Sequence, residues 1–197
     1  VVAIANKCKE VYNLPLTNIV YMGMGEPLLN YRNVIKSIHF ITSSEGLEMS
    51  YKRVTLSTSG IAKMIKRLAD DNVKVNLALS LHAASEELRN SIMPIGGSNS
   101  LDDIRDALKY YFSKTKRKVT YEYVLLNEVN DSIKDAENLY KFTKHIPSKV
   151  NLIEYNTVDG LGFDRSSDKN TDLFMNYLDA KRVNVGLRRS RGKDICF

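Results

Sequence analysis

The sequence predicts an α/β fold with a mostly parallel sheet and outer helices. Three observations carry that prediction. Short β-branched runs alternate with segments whose apolar residues recur three and four positions apart. Some runs, Val54 to Leu56 and Leu77 to Leu81, are apolar almost throughout, as strands are when helices cover one face and a core the other. Polar residues then gather where the runs end, the edge at which parallel α/β sheets bind ligands.

Taken in order, the elements follow from local chemistry. Ile4, Cys8 and Val11 have the spacing of one helix face. Asn18–Met22 reads as a strand that stops at Gly23. Tyr31–Thr42 carries Val34, Ile38 and Ile41 at helical spacing, and Arg53–Ser57 is the next strand. Gly60–Asp70 is a helix on Ile61, Met64, Ile65 and Leu68, followed by a strand over Val73–Leu81. Ser85 suits the cap of a short helix with Glu86 and Glu87 in its first turn, where acids meet the helix dipole. Ser100 with Asp103, and Ser132 with Asp135, have capping-box spacing with an acid shorter than the usual Glu. The first leads Leu101, Ile104 and Leu108; the second leads Ala136, Leu139 and Ile146 until Pro147 stops it. Lys118–Leu126, Val150–Tyr155 and Val183–Arg188 complete the strands, and Leu173, Phe174, Tyr177 and Leu178 form the last helix face. Gly96–Asn99 and Val158–Ser167 read as loops. Periodicity alone does not choose between an open doubly wound sheet and part of a (βα) barrel.

Composition narrows the class. At 197 residues, with 43% hydrophobic and 26% charged content, the chain suits one soluble domain with a real core. No apolar run approaches the roughly 20 residues that span a bilayer, and the start lacks a signal-peptide pattern. It also lacks an initiator Met and opens on residues with helical spacing, so the expectation is a piece excised from a longer protein. Cys8 and Cys196 are the only cysteines, which points to a reducing cytoplasm rather than a disulfide framework. A net charge of +6 permits a polyanionic partner.

The most informative stretch is Tyr21-Met-Gly-Met-Gly-Glu-Pro-Leu-Leu-Asn30. Two glycines leave bare backbone at a strand end, and Glu26 places a carboxylate beside it, a combination suited to an amine-bearing ligand. The other runs end in Ser57-Thr-Ser-Gly60, Ser80-Leu-His82, Asn127 with Asn130 and Asp131, and Glu154-Tyr-Asn156. Each has a plainer role on offer: a cap for Glu26 or for Ser57 to Ser59, a packed ring for His82, a turn for Asn156. Their arrival at one rim favours a pocket. No phosphate-binding Gly-rich loop, nucleophile elbow or metal-ligand spacing of His39, His82 and His145 is present, and no residue is assigned as catalytic or as a metal ligand.

In this order the words resemble a radical S-adenosylmethionine (SAM) enzyme. More narrowly, they resemble the dual-specificity RNA methyltransferases that modify carbon 2 of an adenine in 23S rRNA and tRNA. The match runs through Met22–Asn30, Arg53–Gly60, Leu79–His82, Val119–Val124, Val150–Asn156 and Arg188–Gly192. The resemblance implies an incomplete (βα) barrel of radical SAM type, one partial domain over 1–197, in a cytoplasmic, monomeric enzyme with no membrane contact. It implies that Gly25 and Glu26 hold the SAM amino group, that Ser57, Ser80, Leu81, His82 and Asn156 line the rest of the cofactor site, and that Arg188, Arg189, Arg191 and Lys193 lie towards RNA. The chain departs from the family in two places. The Cys-x-x-x-Cys-x-x-Cys loop that holds a [4Fe–4S] cluster is missing, with Cys8 standing alone, and the methyl-carrying cysteine segment is missing too, with Cys196 three positions early. The expected chain is therefore inactive by itself and belongs to an active parent. The competing expectation is a degenerate, non-catalytic barrel that binds RNA or nucleotides.

Overall fold

The computed structural model describes residues 1–93, 99–158, 160 and 162–189, so most of the expected loop at 96–99 lies outside the described residues. Among the described residues, six strands form one parallel sheet: β1 (Ile19–Tyr21), β2 (Val54–Thr58), β3 (Asn76–Ser80), β4 (Val119–Leu125), β5 (Ser148–Glu154) and β6 (Val185–Arg188). Strand order in space is strand order in the chain. A doubly wound sheet reverses that order at a switch point. The absence of a reversal here leaves the arc of a barrel wall.

Helix α1 (Val2–Tyr12) precedes β1 and α2 (Tyr31–Thr42) follows it. Next come α3 (Ala62–Asp70), α4 (Glu86–Ile92), α5 (Leu101–Thr115), α6 (Ile133–Thr143) and α7 (Asp168–Ala180). Both predicted capping boxes form: the Ser100 and Ser132 hydroxyls accept from the Asp103 and Asp135 amides at 3.0 and 3.2 Å. Neighbouring parallel strands in register send paired side chains to the same face. One face carries Val54, Leu56, Leu77, Leu79, Val119, Tyr121, Val150 and Leu152, all buried against Ile38, Ile65, Leu68, Ile104, Leu108, Leu139, Phe142 and their neighbours on the helices. The other face carries Thr55, Ser57, Ser80, Thr120, Glu122, Lys149, Asn151 and Arg188.

The predicted elements shift at their ends for physical reasons. The Val73–Leu81 strand shortens to Asn76–Ser80. The carbonyls of Val73 and Val75 instead accept from the buried Tyr111 hydroxyl, at 3.2 and 2.7 Å, so a helix side chain takes the place of a strand neighbour. Helix α3 starts at Ala62, because Gly60 lies at φ +102°. A Cβ at Gly60 would meet Ile104 Cδ1 at 2.8 Å, so this turn packs directly onto α5.

Candidate functional site

A cavity of about 480 Å³ opens at the carboxyl ends of β1 to β3. It brings together Gly25, Glu26, Ser57, Ser80 and His82 from the predicted set. Gly25 lies at φ +89° with open space where a Cβ would stand, so its backbone faces the cavity unobstructed. Leu81 and Asn156 are placed elsewhere. The Leu81 side chain is fully buried in the core. Asn156 lines a second cavity of about 920 Å³ along β5 and β6, with Lys149, Asn151, Glu154, Arg188 and Arg189.

Glu26 takes up the capping role with one oxygen and turns the other to Ser59. Its Oε1 accepts from the Leu28 amide at 3.0 Å and so caps the turn Pro27–Asn30. Its Oε2 accepts from the Ser59 amide at 2.6 Å and the Ser59 hydroxyl at 2.7 Å. A carboxylate offers about four acceptor sites, so these three bonds orient the group and leave capacity for a ligand donor.

His82 is both packed and cavity-lining. Its backbone lies at φ +55°. Its Nδ1 accepts from the Val124 amide at 3.2 Å, which assigns the proton of the neutral ring to Nε2. Burial, reinforced by the Arg89 charge, pushes its pKa down to about 4, so the ring is neutral at physiological pH. Asn130 is wholly buried and fastens this corner: its amide donates to the carbonyls of His82 and Val124 at 2.8 and 2.7 Å. Asp131 likewise accepts from Ser166 Oγ at 2.6 Å and Asn170 Nδ2 at 3.1 Å. Both are scaffold for the rim rather than lining.

Between the two cavities lies a third, of about 350 Å³, lined by Val20, Met22, Thr55, Thr120, Glu122, Asn151 and Arg188. Glu122 is 5% exposed. Its Oε1 accepts from Asn151 Nδ2 at 2.9 Å, and its Oε2 has no partner among the described residues. Burial pushes this carboxyl up, against the opposing pull of Asn151, Arg188 and Lys149.

Sequence reasoning passes over several participants. Thr58 and Ser59 read as helix caps, yet Thr58 Oγ1 accepts from the Gly60 amide and Ser59 turns to Glu26. Ile92 and Met93 form a cavity wall from the end of α4. Arg89, on the same short helix, is 1% exposed. Only a capping motif marks α4 in the sequence, and nothing there distinguishes a buried arginine from a solvated one.

Among the described residues, no group of three or more His, Cys, Asp and Glu is placed to hold a metal ion. Cys8 is half-buried on α1, while Cys196, Arg191 and Lys193 lie outside the described residues. The [4Fe–4S] cluster therefore finds no ligand set in the structure described. No helix among these residues is long and apolar enough to cross a membrane.

The model of the radical SAM superfamily matches residues 1–142. A probable dual-specificity RNA methyltransferase RlmN from Flavobacterium psychrophilum is 54% identical over 195 residues, covering 99% of this chain and 56% of the relative. The dual-specificity RNA methyltransferase RlmN of Nautilia profundicola is 43% identical over 178 residues, covering 90% of this chain and 50% of that protein. The chain thus spans about half the length of these curated relatives. Among solved structures, a radical SAM methyltransferase from Sphaerobacter thermophilus superposes with a TM-score of 0.92 at 38% identity, over 98% of this chain and 56% of that one. The fold expected from the sequence, a partial barrel with a parallel sheet, is borne out by that likeness and by the strand order. With the family model covering most of its length, and with strand ends arranged as that fold arranges them, the chain belongs to the radical SAM superfamily.

Proposed function

We propose that this chain is the SAM-binding part of an RNA methyltransferase that acts on carbon 2 of an adenine in 23S rRNA and tRNA. The observation that carries the reading is the cavity at the ends of β1 to β3, where Gly25, Glu26, Ser57, Ser80 and His82 meet. Its residues fit SAM chemically. Gly25 leaves backbone accessible, Glu26 offers an oriented carboxylate to an amine, and Ser57 and Ser80 offer hydroxyls. His82 offers a neutral N–H donor and adds no positive charge near a sulfonium. When bound, SAM supplies the methyl group; the protein residues orient it and limit its access to water. The second cavity supports an RNA partner, since Lys149, Arg188 and Arg189 bring cations to one wall. The cysteine ligands for a cluster are assigned to the parent outside this chain, so the 197-residue chain alone is expected not to cleave SAM reductively. A cytoplasmic, monomeric parent goes with this reading.

The test uses the full-length parent. Glu26→Gln is expected to weaken SAM binding about tenfold, the scale of a lost charge-assisted hydrogen bond. Unchanged affinity would remove Glu26 from the site. Mass spectrometry of 23S rRNA and tRNA treated with the parent should show 2-methyladenosine. RNA binding with no SAM binding would establish the non-catalytic module instead.

A further inference from the structure

Arg89 is the largest fully buried side chain in the molecule as described, and it does not line the SAM cavity. Its guanidinium donates to the Ser59 carbonyl, while its Nε has no partner among the described residues. Burial lowers its pKa, and Glu86, one turn earlier on α4, is the counter-charge that opposes this. Glu86 in turn accepts from the Leu101 amide at the start of α5. A buried cation held by so few acceptors is poor stabilisation, because a well-packed apolar side chain avoids its desolvation cost. What the arginine does provide is a fixed point. It grips the peptide of the residue whose amide and hydroxyl both hold Glu26 Oε2, at 2.6 and 2.7 Å.

We propose that Arg89 is a positioning residue for the cofactor site: it aims the Glu26 carboxylate through Ser59 without touching the ligand. The proposal rests on the SAM reading of the cavity. Helix α4 is then a brace running from the start of α5 to the end of β2. The relay crosses three segments distant in sequence, Glu26, Ser59 and Arg89, and ends on a single carboxylate oxygen.

The test is a double-mutant cycle on SAM affinity in the full-length protein. Arg89→Met and Glu26→Gln are each expected to weaken binding about tenfold. Their combination should be no weaker than Glu26→Gln alone, because the relay has one output. Arg89→Lys keeps a charged donor and should stay within about threefold of the parent affinity. Unchanged binding in Arg89→Met, or losses that multiply in the double variant, would overturn the relay and leave the SAM reading standing. Unchanged binding in Glu26→Gln would overturn both. If Arg89→Met does not fold, Ser59→Ala reads the other link in the same cycle. It should cost about threefold with Glu26 intact and nothing further in the Glu26→Gln background, where the carboxylate it orients is gone. Equal losses in both backgrounds would overturn the relay.

Discussion

The two faces of the sheet are made from the same strands and obey different rules. On the helix-covered face, side chains interlock: Tyr121 meets Phe142 edge-on with ring centroids 5.7 Å apart, and Tyr123 lies 5.4 Å from Phe174. On the open face, three cavities run side by side, sharing Met22 between the first and third and Asn151 with Arg188 between the third and second. One face stabilises by excluding water. The other keeps polar groups available and accepts their desolvation. Alternation along a strand therefore largely separates core packing from cavity lining.

The largest test of that division is truncation on each face. Leu79→Ala, fully buried on the packed face, should cost about 2–5 kcal/mol of unfolding free energy. Thr55→Ala, on the open face, should stay within about 0.5 kcal/mol. Comparable losses in denaturant titrations would break the comparison.

His82 gives the next largest effect, through pH. Its folded pKa of about 4 lies below the ordinary value of 6.5, so the unfolded state binds the proton more tightly. Stability from this group is present above pH 6.5 and is lost as pH falls towards 4. The full difference is roughly 3 kcal/mol. His82→Gln should flatten the stability profile between those limits, and an unchanged slope would show that His82 is not the group responsible.

Glu122 tests the open face with the smallest effect and the opposite sign. Its carboxyl is raised by burial, so its contribution is present below the unfolded pKa and lost as pH rises through the folded one. Glu122→Gln keeps an acceptor for Asn151 and removes the charge. At neutral pH it should be neutral or stabilising, by up to about 1 kcal/mol. A clear destabilisation would mean that the carboxylate is held by more than Asn151.

Much of this was legible in the chain because it is local. The Ser100 and Ser132 boxes are short-range patterns, and strand–helix alternation needs no distant partner. The grouping of Gly25, Glu26, Ser57, Ser80 and His82 follows from topology, since parallel strands bring their carboxyl ends to one edge. What sequence does not show is where a side chain turns when two partners compete. Glu26 and Ser59 meet across 33 residues, and nothing near either one announces the contact. Asn156 has the right strand end but a different cavity, because β5 stands beyond β4 from the first three strands. Val73 and Val75 look like strand and are drawn off by a tyrosine on α5.

The agreement between strand order and chain order also bears on how the molecule is made. Each strand from β2 onward pairs with the strand synthesised just before it. A nascent chain leaving the ribosome can therefore dock every new β-strand on an edge that already exists. The advancing edge at any moment is the one the next segment will cover, so that side is open to mispairing only until the next strand arrives; the outer edge of β1 has no strand neighbour among the described residues. A fold whose sheet reversed direction would have to hold an early edge open for a strand delivered much later.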